Sequence, residues 1–192
     1  MTDELAQKWN ARYQDADPAA SRPCEVLKTL AYLLPPAGRA LDLACGLGGN
    51  ARLLAARGLE TYAWDRSPVA IDRLQAHAAA QDLPMRARVR DVEAEPPEPD
   101  AFDVIVVAYF LERDLAPALE LALRPGGLLF YQTWTRESVD DRGPGNPLFR
   151  LAPNELLQLF PRLRVVSYRE EGLFGDSAQG LRNEAWLIAA RL

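Results

Sequence analysis

The segment from residue 40 to residue 58 constrains the fold of this chain more than any other part of the sequence. Residues 40–44 form a short apolar run that predicts a buried strand, and glycines at positions 46, 48 and 49 predict a tight turn. Helical spacing then continues to Gly58. Glycine tolerates positive φ and lets a ligand approach the backbone, and the free N–H groups of the next helix face whatever lies over the turn. The segment therefore predicts a strand, a turn and a helix that hold a nucleotide-like cofactor.

Composition excludes several other classes of function. The chain has 192 residues and a formal net charge of −5, so it offers no positive field to duplex nucleic acid or to an anionic membrane. Two cysteines and one histidine are too few for a disulfide framework or a zinc site. The first residues are acidic, unlike a signal peptide, and no apolar run approaches about 18 residues. We expect a cytoplasmic protein, a monomer or weak homodimer, with no nucleic-acid, membrane or metal partner.

Strand patterns alternate with helical patterns along the chain, which is typical of an α/β fold with a mostly parallel, doubly wound sheet. The predicted strands are 39–44, 59–64, 85–90, 101–108, 128–135, 163–170 and 184–190. The predicted helices are 3–14, 23–34, 49–57, 68–81, 114–123 and 153–160. The last two strands are joined by a loop without helical spacing, so we expect an antiparallel hairpin at the end of the chain.

We expect one domain over residues 1–192. Residues 1–35 would form an N-terminal helical cap, residues 36–135 the cofactor-binding core, and residues 136–192 a lid loop, a helix and the hairpin. The first helix would carry three apolar side chains on one face, namely Leu5, Trp9 and Tyr13. Loop 136–152 is long enough to act as a lid, and a solvated surface loop is the alternative.

Three acids lie at or near the ends of the first three predicted strands: Asp42 within the first, Asp65 after the second and Asp91 after the third. Ligands of open α/β sheets bind beyond these strand ends. Asp65 follows Gly48 by 17 residues, close to the spacing at which a carboxylate reaches both hydroxyls of a ribose. Such a contact identifies a ribose without identifying what is attached to it.

Two cofactors compete for this turn. A dinucleotide fits the spacing Gly46-x-Gly48-x-x-Ala51, although that pattern alone is a weak signal. A carboxylate at Asp42 would repel a pyrophosphate, whereas it suits the ammonium and sulfonium of S-adenosylmethionine. Asp91 can accept a hydrogen bond from the adenine amino group, which favours the same cofactor.

Four segments resemble the motifs of the Rossmann-like, class I S-adenosylmethionine-dependent methyltransferases. They are the turn Leu41–Gly49, the strand end Tyr62–Asp65, the strand Phe102–Val107 and the turn Leu123–Leu128. The resemblance covers roughly residues 36–135, and Trp9–Tyr13 is also similar to the start of the small tellurite-resistance-type and thiopurine-type enzymes. It implies a seven-stranded sheet of order 3-2-1-4-5-7-6, with strand 7 antiparallel and helices on both faces.

The resemblance also implies which residues contact S-adenosylmethionine, whose demethylated product is S-adenosylhomocysteine. The methionine end would meet Asp42, Ala44, Gly46, Gly48 and the backbone of Ala108 and Tyr109. Asp65 would bind the ribose, Arg66 would flank the adenine, and Asp91 and Val92 would contact its edge. Trp9 and Tyr13 of the first helix are further candidates for cofactor contact.

The sequence contains no acid–base triad, and in-line methyl transfer can proceed largely by positioning of donor and acceptor. Catalytic residues are therefore not identifiable, and the candidates on the acceptor side are Tyr109, Phe110, Arg113 and Trp134. The expected function is methyl transfer to a small-molecule acceptor. The alternatives are a Rossmann-type NAD(P)-dependent oxidoreductase and a non-catalytic protein that senses S-adenosylmethionine.

Overall fold

The computed structural model describes the backbone of residues 2–192 and the side chains of residue 4 and residues 6–192, so the side chain of Leu5 lies outside the described part. The seven strands are β1 (Arg39–Leu43), β2 (Glu60–Asp65), β3 (Met85–Val89), β4 (Phe102–Ala108), β5 (Leu123–Trp134), β6 (Arg164–Glu170) and β7 (Glu184–Ala190). The six α-helices are α1 (Thr2–Tyr13), α2 (Glu25–Thr29), α3 (Gly49–Ala56), α4 (Pro68–Ala80), α5 (Ala116–Ala122) and α6 (Glu155–Leu159).

The strands form one sheet of order β3-β2-β1-β4-β5-β7-β6. The first five strands run parallel to one another, and β7 runs antiparallel to both β5 and β6. The predicted strand order and the antiparallel last strand are therefore confirmed. Within residues 2–192 no helix is long and apolar enough to cross a membrane.

Helices cover both faces of the sheet. Helices α2, α3 and α4 pack on one face, whose buried row includes Ala40, Val106 and Phe130. Helices α5 and α6 pack on the other face, where the largest apolar cluster is centred on β4 and β5. The central strands read as nearly continuous apolar runs because both of their faces are buried.

Two predicted elements differ from the structure. The helix expected over residues 23–34 is shorter, because α2 ends at Thr29 and residues 31–33 form a separate 3-10 turn. Strand β5 begins at residue 123 rather than 128, because Leu123 already pairs with Phe102 of β4. A register shift between Phe102 and Val104 accommodates the glycines that lie between Leu123 and Leu128. At β5, pairing with β4 overrides local propensity.

Candidate functional site

The glycine turn after β1 requires glycine at two positions. Gly46 has φ of +50° and Gly48 has φ of +74°, conformations that are costly for residues with a Cβ. A Cβ on Gly46 would lie 2.8 Å from the hydroxyl oxygen of Tyr13, and a Cβ on Gly48 would collide with Leu74. Ala44, just before the turn, also has positive φ, at +55°. The tight bend therefore packs the turn against the side chains of Tyr13 and Leu74.

Asp42 lies beneath this turn with only 1% of its surface exposed. One carboxylate oxygen accepts from Asn50 Nδ2 at 3.2 Å and the other from the backbone N–H of Ala51 at 2.9 Å. The pKa of Asp42 is raised to about 7, mainly by burial and also by the nearby Asp65 carboxylate, while the two hydrogen bonds act to lower it. A positive charge brought to this point would favour the ionised form.

Asp65 ends β2 and holds two backbone groups at the edge of the sheet. Its carboxylate accepts from the N–H of Gly46 at 2.8 Å and from the N–H of Ser67 at 2.9 Å. Burial raises the pKa of Asp65, an effect that these bonds oppose. A carboxylate has about four acceptor sites, so two remain for further donors such as a pair of hydroxyl groups.

Two of the three residues predicted to contact adenine are joined to each other. Arg66 forms an ion pair with Asp91 at 2.8 Å and lies 3.5 Å from Glu93. Val92, next to Asp91, is buried in the apolar cluster on the α5 side. The pair lies beyond the ends of β2 and β3, beside Asp65.

Helix α1 lies against the same edge of the sheet. Tyr13 approaches the glycine turn, Trp9 stacks on Tyr13 with ring centroids 5.9 Å apart, and Asn10 accepts from the Ser67 hydroxyl at 2.6 Å. Burial raises the pKa of Tyr13 above its ordinary value, and the Asp65 carboxylate adds to this rise. The structure therefore brings Tyr13 to the glycine turn, with Trp9 stacked on it.

A second polar group lies at the ends of β4 and β5. Tyr109 follows β4 with φ of +56°, and its ring lies 5.2 Å from that of Trp134. Its hydroxyl donates to Glu184 Oε2 at 3.2 Å, and Gln132 Nε2 donates to the same oxygen at 2.5 Å. We call Tyr109, Gln132, Trp134 and Glu184 the acceptor-side cluster.

Sequence reasoning missed two members of this cluster, Gln132 and Glu184. The acids it selected follow parallel strands, whereas Glu184 begins β7. Because β7 is antiparallel, its first residue lies at the same edge as the last residues of β4 and β5. The sequence signal that could have identified Glu184 is an acid at the start of a last strand predicted to be antiparallel.

The other two acceptor-side candidates lie in different surroundings. Arg113 pairs with Glu155 at 2.6 Å and donates to the carbonyls of Leu148 and Arg150, so its guanidinium holds loop 136–152 rather than standing free for an acceptor. Phe110 packs against the apolar cluster on the α5 side, and its carbonyl accepts from the Tyr131 hydroxyl. Neither is in the hydrogen-bonded group around Glu184.

Loop 136–152 is compact. Thr135 pairs with Leu151, and buried Arg150 donates to the carbonyls of residues 135, 142 and 144. Gly143 packs against the Trp134 ring so closely that a Cβ there would lie 2.7 Å from Cδ2. The loop thus covers the face of Trp134 and exposes the side chains of Leu148 and Phe149.

The donors and acceptors at this edge fit S-adenosylmethionine. Asp42 supplies a buried negative charge, and the glycine turn offers backbone that a Cβ would obstruct. Asp65 retains free acceptor sites for hydroxyl groups. A pyrophosphate would instead meet two carboxylates beside the turn, which is unfavourable for an anion.

Comparison with known proteins relates part of this chain to a known domain family. Residues 40–127 match a family model described as a methyltransferase domain. An uncharacterised protein of Mycobacterium tuberculosis is 30% identical over 168 residues, which cover 81% of this chain and 59% of that protein. The chain therefore spans less than two thirds of the length of that relative.

Two solved structures share the fold. TehB of Haemophilus influenzae has a TM-score of 0.70 and 24% identity, over 86% of this chain and 61% of that one. A TehB-like SAM-dependent methyltransferase of Corynebacterium glutamicum has a TM-score of 0.67 and 18% identity, over 99% of this chain and all of that one. At these identities the likeness extends to the fold alone.

Proposed function

We propose that this chain is a Rossmann-like, class I S-adenosylmethionine-dependent methyltransferase that transfers the methyl group of S-adenosylmethionine to a small-molecule acceptor, and the match of residues 40–127 to a methyltransferase-domain model supports the proposal. The observation that carries the proposal is the placement of Asp42 and Asp65 around one glycine turn. A buried carboxylate complements a cation, and a second carboxylate with free acceptor sites complements a ribose.

The residues of the chain hold and orient the reactants in this proposal. S-adenosylmethionine, when bound, supplies a methyl group activated by a positively charged sulfur. Asp42 and the backbone of the glycine turn hold the methionine end, Asp65 accepts from the ribose hydroxyls, and the Arg66–Asp91 pair with Val92 borders the adenine. Positioning of this kind accounts for a large share of the rate of a displacement reaction.

Two features of the fold weigh against an NAD(P)-dependent oxidoreductase. The dinucleotide-binding sheet has the order 3-2-1-4-5-6, whereas here β7 lies antiparallel between β5 and β6. The carboxylate of Asp42 would also face a pyrophosphate at close range. The same experiment tests both functions.

Isothermal titration calorimetry with S-adenosylmethionine, S-adenosylhomocysteine and NADH tests the choice of cofactor. We expect both sulfur-containing ligands to bind and NADH not to bind. Binding of NADH alone would overturn the proposal. Radiolabelled S-adenosylmethionine with a panel of phenols, amines, thiols and oxyanions then tests transfer, and donor binding without transfer to any of them would favour a sensor.

We also propose that the protein is cytoplasmic, that it is a monomer or a weak homodimer, and that it has no nucleic-acid partner. The net charge of −5 supports the last point, because a nucleic acid would be repelled by such a surface. The proposal also includes one domain, with residues 1–35 as a cap over the cofactor core. The contacts of Tyr13 and Asn10 with the glycine turn and with Ser67 support the cap.

A further inference from the structure

Four side chains of β5 and β7 share one face of the sheet at its cofactor edge. Gln132 is paired with Trp186, and Trp134 is paired with Glu184. Since opposite residues of an antiparallel pair lie on the same face, all four project towards the side that carries α2. Gln132 is also paired with Ala108, so the acceptor-side cluster directly adjoins the end of β4.

The carboxylate of Glu184 is fixed through one oxygen. The backbone N–H of Val26 donates to Gln132 Oε1 at 2.7 Å, which forces the NH₂ group of Gln132 towards Glu184 Oε2. The Tyr109 hydroxyl donates to the same Oε2. For Oε1 the described side chains provide no donor, so that oxygen is available to a ligand.

Among the described side chains no cation neutralises this carboxylate. Glu184 is only 8% exposed, and within residues 6–192 neither lysine nor arginine forms an ion pair with it. The charged residue on the neighbouring strand, Arg169, lies over the Trp186 ring and pairs with Glu171. A buried carboxylate without a counter-ion is costly, and an anion would be repelled from it. Cys24 and Glu25, whose charges act on the neighbouring Tyr109 hydroxyl, add no positive charge.

Two further observations mark this place as a ligand site. Tyr109 is an aromatic residue in the left-handed region, a strained conformation that persists where the surroundings enforce it. The ring is 46% exposed beside Trp134, so a flat surface faces outward. Trp186, 5% exposed, has an indole N–H without a partner among the described residues.

We propose that the acceptor is an uncharged aromatic molecule with a phenolic O–H or a ring N–H, and that Glu184 Oε1 binds and removes the proton of that group. The ring lies against Tyr109. The acceptor lone pair forms the bond to the methyl carbon, the carbon–sulfur electron pair remains on sulfur as a neutral thioether, and the proton passes to Glu184 and then to water. An oxyanion is excluded as acceptor by the same carboxylate. This inference rests on the proposed function.

The test measures binding of probe acceptors to the protein saturated with S-adenosylhomocysteine, by calorimetry and by tryptophan fluorescence. The probes are 2-naphthol, benzimidazole and, as oxyanions, benzoate and selenite. We expect 2-naphthol or benzimidazole to bind, and Glu184→Gln to weaken that binding about tenfold or more, as for a hydrogen bond to a charged group. Binding of benzoate or selenite should be absent and should improve in the variant.

Glu120→Gln is the matched control, because Glu120 is also a buried glutamate but pairs with Arg162 on the opposite face of the sheet. It should leave probe binding unchanged. If Glu184→Gln does not bind S-adenosylhomocysteine, the variant is misfolded and Glu184→Asp is tested instead. For Glu184→Asp we expect partial binding of the ring probe. Product analysis with labelled donor separates O-methylation from N-methylation.

Two outcomes would overturn the inference while leaving the proposed function intact. One is binding of S-adenosylhomocysteine together with tight binding of benzoate or selenite to the wild-type protein. The other is failure of both ring probes to bind, or ring-probe binding that Glu184→Gln does not change. Failure of S-adenosylmethionine and S-adenosylhomocysteine themselves to bind would instead overturn the proposed function.

Discussion

The guanidinium of Arg66 lies 2.8 Å from the carboxylate of Asp91, and this ion pair joins the residues that follow two neighbouring parallel strands. Each residue fixes the other at the place proposed for the adenine. Asp91 Oδ1 also accepts from the N–H of Glu93, so the orientation of the carboxylate is set from two sides. Cofactor affinity should therefore depend on the pair rather than on either residue independently.

A double-mutant cycle with Arg66→Gln and Asp91→Asn checks this dependence. Because removal of either partner already disrupts the arrangement, the double variant should lose less affinity for S-adenosylhomocysteine than the sum of the single losses. The coupling should be about 0.2–1 kcal/mol, the range for partly exposed ion pairs. Calorimetry measures it, and strictly additive losses would show that the pair does not act as a unit.

Asp65→Asn should weaken cofactor binding by ~1.5–3 kcal/mol, the range for hydrogen bonds to a charged group. The substitution keeps the size of the side chain but removes the charge that would bind the ribose hydroxyls. Asp72→Asn, an exposed acid on α4, is the control and should leave affinity unchanged. Affinity that stays constant in the Asp65 variant would remove this residue from the site.

The contribution of Asp42 to the stability of the free protein should fall as pH rises from about 4 to 7. Burial raises the pKa of Asp42 to about 7, whereas an unfolded aspartate titrates near 3.8, so the folded state binds more protons in this interval. One such group gives a slope of at most about 1.4 kcal/mol per pH unit. Asp65, whose pKa is also raised, acts in the same direction.

Urea unfolding of the wild-type protein and of Asp42→Asn at several pH values isolates the contribution of Asp42. The difference in unfolding free energy between the two should change with pH between 4 and 7 and become constant above that range. A difference that is independent of pH would mean that Asp42 is ionised throughout.

Gly46→Ala should destabilise the protein for two separable reasons. Positive φ costs an alanine roughly 1–2 kcal/mol, and the new Cβ would also meet the Tyr13 hydroxyl. Gly126→Ala is the matched control, because Gly126 has φ of +80° and a Cβ added there would have no atom within 4 Å. In a Tyr13→Ala background the penalty at Gly46 should fall to that at Gly126. An unchanged penalty would place the strain elsewhere.

The sequence was sufficient to predict the parallel core of the sheet. Buried strands such as Phe102–Ala108 are recognisable because an apolar run of this length has few other structures open to it. Asp42 and Asp65 could be chosen as site candidates because each lies at or near the end of a strand, and local sequence patterns reveal where strands end.

Features that depend on pairing between distant segments could not be predicted. The N–H groups of Cys24 and Val26 are bonded to Asn50 and Gln132, and nothing near α2 in the sequence indicates either partner. Glu184 reaches the site only because β7 enters the sheet antiparallel beside β5. The guanidinium of Arg113 looked available in the sequence but meets Glu155, 42 residues further on.

The contacts of Arg150 also determine how loop 136–152 can move. Its side chain binds three carbonyls of the loop and its base, and Thr135 is paired with Leu151, so the loop lost most of its conformational entropy when the protein folded. A displacement over the edge of the sheet would therefore be that of a rigid body, pivoting about its two adjacent ends. Such a movement would fix few additional rotatable bonds, so closing the loop over a ligand would cost little conformational entropy.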